Sequence, residues 1–268
     1  MGICGSKQIK KDHDSERSEE ASFESSYSIE SKLGSGGFGE VFLVKNQADH
    51  QIHVAKKIPL KQHADVHTEV KLMMDLHHPH IIQLIDFYTL SKHLYIILEY
   101  MPGSVDLYDY IDLRGLLSES RSRTIFSQLL KALHYLHALH IAHLDVKPEN
   151  IILRPDTGLI KLIDFGAATS LNAPTKFRGT RQYASPEILF TKTINPIAAD
   201  MWASGVTLYK MLMGHLPFQS NKDYYTPLRF TRPDLSKDCV KIISSVLHPI
   251  AIQRPGSIGD VMSCPWLK

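Results

Sequence analysis

The chain has 268 residues, 43% hydrophobic and 22% charged, with a formal charge of +2. That length is enough to bury the cores of two lobes, and the near-neutral charge gives no global case for nucleic-acid binding. The cysteines Cys4, Cys239 and Cys264 make no disulfide framework, which points to a reducing compartment, and the scattered histidines lack zinc-site spacing.

In chain order, residues 1–26 are polar, rich in Ser, Glu and Lys, and without periodicity, so they are expected to be a disordered tail. No apolar stretch follows the start as in a secretory signal, and no run approaches the ~18 residues of a membrane span. From Tyr27 the pattern changes. "YSIESKLGSGGFGEVFLVKN" and "QIHVAKKIP" read as strands broken by glycines and polar turns. "ADVHTEVKLMMDLHH" spaces Val66, Val70, Met73 and Met74 as a helix does. "IIQLIDFY" and "LYIILEY" are two further strands. After Met101 the chain turns helical: "SRTIFSQLLKALHYLHALH" puts Ile125, Leu129, Leu133 and Leu136 on one face, and "ADMWASGVTLYKMLMG" and "KDCVKIISSVL" follow. A small β-rich half before a larger helical half implies two lobes, with a crevice near Glu99 to Gly103.

Several fragments could carry chemistry. "GSGGFGEV" has the spacing GxGxxGxV through Gly34, Gly36, Gly39 and Val41. Glycines let a backbone approach phosphates and offer its N–H groups, although a flexible hairpin has the same look. A dinucleotide fingerprint needs a helix after the glycines, and here a strand follows. "VAKK" supplies Lys57 on a strand, facing inward if Ala55 does. A lysine there needs a partner, and Glu69 on the next helix is the candidate, two exposed charges being the alternative. In "HLDVKPEN", proline blocks a helix and makes a loop that gathers Asp145, Lys147 and Asn150. Fourteen residues after Asn150 comes "LIDFGAA", with Asp164 at the end of an apolar strand. Two acids and an asparagine on neighbouring loops suit Mg²⁺ beside phosphate oxygens.

With these fragments in this order, the chain resembles a eukaryotic protein kinase of the serine/threonine type from about Tyr27 to Lys268. "SPE" resembles the family's APE, "DMWASGVTLY" its buried DxWxxG helix, and Arg254 of "QRP" the arginine that pairs with Glu187. The resemblance implies an α+β, bilobal fold: an N-lobe over 27–99, a hinge at 100–103, and a mainly helical C-lobe over 104–268. It implies that Leu33, Gly34, Ser35, Gly36, Gly37, Phe38, Gly39 and Val41 lie over ATP. Lys57, oriented by Glu69, would hold its α and β phosphates. Val41 and Ala55 would cover adenine from above and Ile152 from below, with Glu99 and Met101 bonding to it behind a gatekeeper, Leu98. Asp164 and Asn150 would hold Mg²⁺, Asp145 would accept the proton of the attacking hydroxyl, and Lys147 would neutralise the transferred group. Phosphoryl transfer is mostly positioning and charge stabilisation, which these groups can supply.

"KPEN" and "RGTRQYASPE", with Thr180 near Asp145, resemble serine/threonine rather than tyrosine kinases. "PGSVDLYDYIDLRGLLSE" is similar to the Pim kinases, with calmodulin-kinase-like relatives as competitors; Pim kinases carry proline where Met101 stands. In that group, acids at positions like Asp106, Asp109 and Glu149 bind arginines upstream of the acceptor. The alternative is an acidic helix start that suits the dipole. Most active members have arginine at the position of Leu144, where it receives a phosphate of the activation loop. Leucine cannot, so loop phosphorylation is expected to be unnecessary, unless Arg178 or Lys176 takes over.

The start, "MGICGSK", fits M-G-x-x-x-[ST]. N-myristoylation at Gly2 is expected, with palmitate on Cys4 or Lys7, Lys10 and Lys11 as the second membrane signal. The expectation is therefore a monomeric, ATP- and Mg²⁺-dependent kinase at a cytoplasmic membrane face, of host cells if virus-encoded, acting on protein substrates. Its rival is a pseudokinase or nucleotide-binding interaction module, whose usual mark is loss of the lysine or an acid.

Overall fold

The computed structural model describes residues 23–268 except 37–38, 61–65, 91, 173–175, 192–193 and 221. The chain divides into two compact units, Met1–Val70 with Leu84–Tyr100, and Lys71–Gln83 with Met101–Lys268.

The first unit is a five-stranded antiparallel sheet in the order β1-β2-β3-β5-β4, from β1 (Tyr27–Gly36), β2 (Gly39–Asn46), β3 (Ile52–Pro59), β4 (Leu84–Thr89) and β5 (His93–Glu99). Successive strand residues face opposite sides, so the sheet supports two separate clusters. Val44, Ala55, Tyr95 and Ile97 pack on one face with Phe23 and Tyr27. Ile58, Leu94 and Ile96 pack on the other with Val70 of α1 (Val66–Met73). Residues 23–26 form a helical turn, and Phe23 is buried against Tyr95 with ring centroids 4.5 Å apart. The expected tail of 1–26 is therefore too long by four residues, because one aromatic among polar neighbours gives no periodic signal. Gly2 and Cys4 lie outside the described residues.

The second unit is mainly helical: α2 (Leu107–Arg114), α3 (Glu119–Ala138), α4 (Pro196–Met213), α5 (Lys237–Val246) and α6 (Ile258–Met262). Asn195 caps α4, Pro196 opens it, and Gly214 at φ 75° closes it. Nearly every α4 residue is buried, Asp200 included, which marks it as the central helix of this unit. Glu119 ties the start of α3 to two later segments, accepting hydrogen bonds from Ser236 N at 2.8 Å and Trp266 Nε1 at 2.8 Å. Two small sheets carry the functional loops. One joins β6 (Val105–Asp106), β8 (Ile151–Leu153) and β9 (Ile160–Leu162), and the other joins β7 (Ile141–Ala142) to β10 (Thr169–Ser170). The "KPEN" segment is not the irregular loop expected from its proline. Pro148–Asn150 is a 3-10 turn, since proline is well suited to a first helical position.

Candidate active site

In the first unit, the adjacent lysines of β3 point to opposite faces. Lys56 is cross-strand partner to Val41 and Ile96, on the face that carries Ile58 and Leu98. Its Nζ donates to Glu69 Oε1 at 2.9 Å, and both side chains are largely buried. Lys57 stands opposite Glu40 and Tyr95 on the other face, with Nζ 3.8 Å from Glu40 Oε2 and 5.8 Å from the Tyr95 ring centroid. The expected Lys57–Glu69 pair is therefore corrected to Lys56–Glu69. Ala55 shares Lys57's face, so it does not stand beside Val41 as expected. Val54, cross-strand partner to Leu98, takes that place. The cause is strand parity: a reading displaced by one residue exchanges the two faces.

The glycine-rich segment is the end of the β1–β2 hairpin, where Gly36 pairs with Gly39. Gly39 has φ 122°, and a Cβ there would lie 2.1 Å from the Lys57 carbonyl oxygen, so only glycine fits. Gly34 has open space around it, Leu33 and Ser35 are exposed, and Gly37 and Phe38 lie outside the described residues.

In the second unit, Asp145 is buried and its carboxylate is surrounded by donors. Oδ1 accepts from Thr180 N at 2.7 Å. Oδ2 accepts from Asn150 Nδ2 at 2.9 Å and lies 2.8 Å from Lys147 Nζ. Lys147 also donates to Thr180 Oγ1 at 2.7 Å, and Asn150 to the Asp145 carbonyl at 2.8 Å. This loop is fixed by Asp200, which accepts from Leu144 N at 2.7 Å and His143 N at 2.9 Å, and whose Oδ2 lies 2.8 Å from the ring nitrogen Nε2 of His137. The bond to Leu144 holds a leucine at φ 60°, a conformation costing ~1–2 kcal/mol in an L-residue. Asp164 follows β9 at φ 61°, accepts from Gly166 N at 3.3 Å, and precedes the buried Phe165, which packs edge-on to His143. The Asn150 amide nitrogen donates to Asp145; the Asn150 Oδ1 and the Asp164 carboxylate are hard oxygens of the kind Mg²⁺ takes. Ile152 is half-buried in β8, across from Asp106 and Lys161. Met101 is buried, and its carbonyl accepts from Ser104 Oγ at 2.7 Å.

Residues 27–267 match the family described as "Protein kinase domain". The chain belongs to the protein kinase family. It is 31% identical over 271 residues to serine/threonine-protein kinase pim-2 of Danio rerio, covering 91% of this chain and 86% of that protein. To serine/threonine-protein kinase SRK2F of Arabidopsis thaliana it is 34% identical over 259 residues, with 90% and 73% covered. It is also 34% identical to the probable serine/threonine-protein kinase MARK-A of Dictyostelium discoideum, but there it spans only 24% of the relative's length. The kinase domain is of the serine/threonine type, and the family implies use of ATP with a divalent metal.

The kinase's activation segment returns from β10 to the catalytic loop, with Thr169 paired to Ala142 and Ser170 to Ile141. Leu144 is buried with Ala142, Ala184, Ile188 and Ala199, and Phe177 and Leu171 pack against this cluster. A Cβ on Gly179 would meet the Leu144 carbonyl oxygen at 2.1 Å, which explains that glycine next to Thr180. Phe177 escaped the sequence reading, although a lone aromatic between Lys176 and Arg178 was the available signal. The expected Glu187–Arg254 pair forms, bidentate at 2.7 and 2.8 Å, with the guanidinium 4.7 Å over Trp202. Burial pushes the Glu187 carboxyl up, but the hydrogen bonds and charge of Arg254, together with its other hydrogen bonds, outweigh it and hold it below the usual range. Of the acids expected to meet substrate, Asp109 and Glu149 are exposed. Asp106 caps α2 through Asp109 N at 2.7 Å, and burial raises its carboxyl.

Proposed function

We propose that this kinase transfers the ATP γ-phosphate to serine and threonine hydroxyls of proteins without needing phosphate on its own activation segment. The observation that carries the reading is the assembled catalytic loop, in which Thr180, Lys147 and Asn150 converge on Asp145 while Leu144 packs with Phe177. An arginine at Leu144 would need a phosphate to draw the segment in, whereas apolar burial needs no modification.

The roles follow from chemistry. Lys56, rather than Lys57, answers the α and β phosphates and is oriented by Glu69. Asp145 accepts the proton as the substrate oxygen forms its bond to the γ-phosphorus and the bond to the ADP oxygen breaks. Lys147 offsets charge on the transferred group. Asn150 and Asp164 would hold Mg²⁺, which would supply charge to offset the phosphate oxygens. A kinase-like module without turnover loses one of these groups, and here Lys56, Asp145, Asn150 and Asp164 are all present.

Asp106, Asp109 and Glu149 support a preference for basic residues upstream of the acceptor. Myristate on Gly2, with palmitate on Cys4 or the nearby lysines, would tether the enzyme to a cytoplasmic membrane face. Among the described residues no helix is long and apolar enough to cross a membrane. Gly2→Ala is expected to move the protein from the membrane to the soluble fraction with its peptide activity unchanged; unaltered fractionation would remove the lipid from the account.

The deciding experiment on regulation combines Thr169→Ala, Ser170→Ala and Thr175→Ala. The triple variant is expected to keep its initial rate within about threefold, ~0.65 kcal/mol of barrier. A hundredfold loss in enzyme dephosphorylated by phosphatase, restored on rephosphorylation, would contradict independence from the loop.

A further inference from the structure

The acidic face assigned above to basic substrates already contains a cation of the chain itself. Lys210, in the last turn of α4, holds its Nζ 3.9 Å from the centroid of the Tyr108 ring. That is a close cation–π contact. Tyr108 lies between Asp106 and Asp109 in the first turn of α2, and α2 packs on the Pro148–Asn150 turn that carries Glu149. Glu149 is exposed and faces the Tyr183 hydroxyl, whose ionisation is pushed up first by burial and then by the Glu149 charge. Burial lowers the Lys210 ammonium below its ordinary value, while Glu149 and Asp112 act to keep it charged. Beside the lysine runs a groove of about 290 Å³, lined by Tyr108, Ile111, Asp112, Lys210, His215 and Leu216.

A lysine in a last helical turn often does no more than complement the helix dipole from solvent. Lys210 is placed differently. It is half-buried and fixed over the ring of Tyr108, within the field of Glu149, which a substrate arginine would otherwise seek, and of Asp112. A guanidinium approaching Glu149 would meet, beside the Tyr108 ring, this ammonium as a like charge, and would gain less from a carboxylate whose field the ammonium partly offsets.

We propose that Lys210 is a specificity-determining residue: it answers the charge of Glu149, so the subsite beside Glu149 and Tyr108 takes a neutral or acidic substrate side chain. Selection of arginine is then left to Asp106 and Asp109. This rests on the protein-kinase reading above and narrows its substrate class.

The test is an arginine scan. Peptides with one serine acceptor carry a single arginine at each upstream position in turn, and kcat and KM are measured for wild type, Lys210→Met and Lys210→Arg. Methionine keeps the apolar stem and removes the charge, so folding is preserved. Lys210→Met is expected to gain about tenfold or more in kcat/KM, through KM, at one position where wild type gains less than about threefold, the size of one charge-assisted hydrogen bond regained. Lys210→Arg should keep the wild-type profile, and adding Glu149→Gln to Lys210→Met should abolish the gain. Superimposable profiles for wild type and Lys210→Met would overturn the proposal. Absence of transfer to every peptide by wild type, with nucleotide still bound, would instead overturn the kinase reading on which it stands.

Discussion

The two charged centres of this kinase are fixed by different kinds of structure. In the first unit, Lys56 reaches Glu69 because β3 presents alternate residues to alternate faces, and its register with β2 and β5 puts position 56 on the face of α1. In the second unit, Asp145 is placed by local turns: Leu144 at positive φ, a 3-10 turn opened by Pro148, and an aspartate of the central helix that bonds two successive N–H groups. A strand that slips by one residue exchanges every side chain between faces. The catalytic loop has no comparable slip, because its bonds run between groups a few residues apart, to the central helix, or to the single residue Thr180 of the activation segment. The first centre is therefore sensitive to register, and the second to loss of individual bonds.

Asp145→Asn attacks the second centre most directly. It keeps shape and most hydrogen bonds but removes the proton acceptor, so kcat should fall ~10²–10⁴-fold with nucleotide binding retained. Turnover like that of wild type would sink the assignment of Asp145 as base. Arg254→Met tests the scaffold of the same unit by leaving Glu187 without its bidentate partner. Breaking a buried pair of this kind costs ~3–5 kcal/mol, readable in urea or thermal unfolding. The pH dependence has a definite sign. Because the Glu187 carboxyl is held below its ordinary value in the folded state, its contribution is present above the unfolded value of about 4.3 and is lost as pH falls through the lower folded one. Arg254→Met should therefore flatten the acid side of the stability profile, and an unchanged acid slope would count against the pair. Glu69→Gln addresses the first centre and removes a charge-assisted bond worth ~1.5–3 kcal/mol, roughly a ten- to hundredfold loss in kcat/KM. An effect below threefold would mean that Glu69 does not orient the lysine.

The same contrast explains what could be read from the sequence. The strands and the long helices were legible because hydrophobic periodicity acts over many residues, and the Glu187–Arg254 pair because the resemblance to the family implied it. The gathering of Asp145, Lys147 and Asn150 in one loop was legible too, since close spacing and a proline leave a loop few conformations, whereas Thr180 beside Asp145 was implied only by the resemblance. The choice between Lys56 and Lys57 was not legible. "VAKK" offers a lysine to each face, and only the pairing of Val41 with Lys56 decides which one meets the helix. Phe23, Phe177 and Lys210 were missed for a related reason. Each acts through a partner distant in sequence, Tyr95, Leu144 and Tyr108, and no local pattern announces such contacts.

The account turns on which lysine of β3 serves the nucleotide, and one paired measurement decides it: initial rates of phosphate transfer to a serine peptide for Lys56→Met and Lys57→Met, at saturating ATP, beside wild type. Removing the buried lysine breaks its bond to Glu69 and, on the role proposed above, takes away the cation for the phosphates, so Lys56→Met should lose at least about a hundredfold, ~2.7 kcal/mol of barrier. Lys57 faces Glu40 near the surface, where an ion pair is worth ~0–1 kcal/mol, so Lys57→Met should stay within about threefold. The opposite result, with Lys57→Met inactive and Lys56→Met active, would contradict the register of β3 and the account built on it.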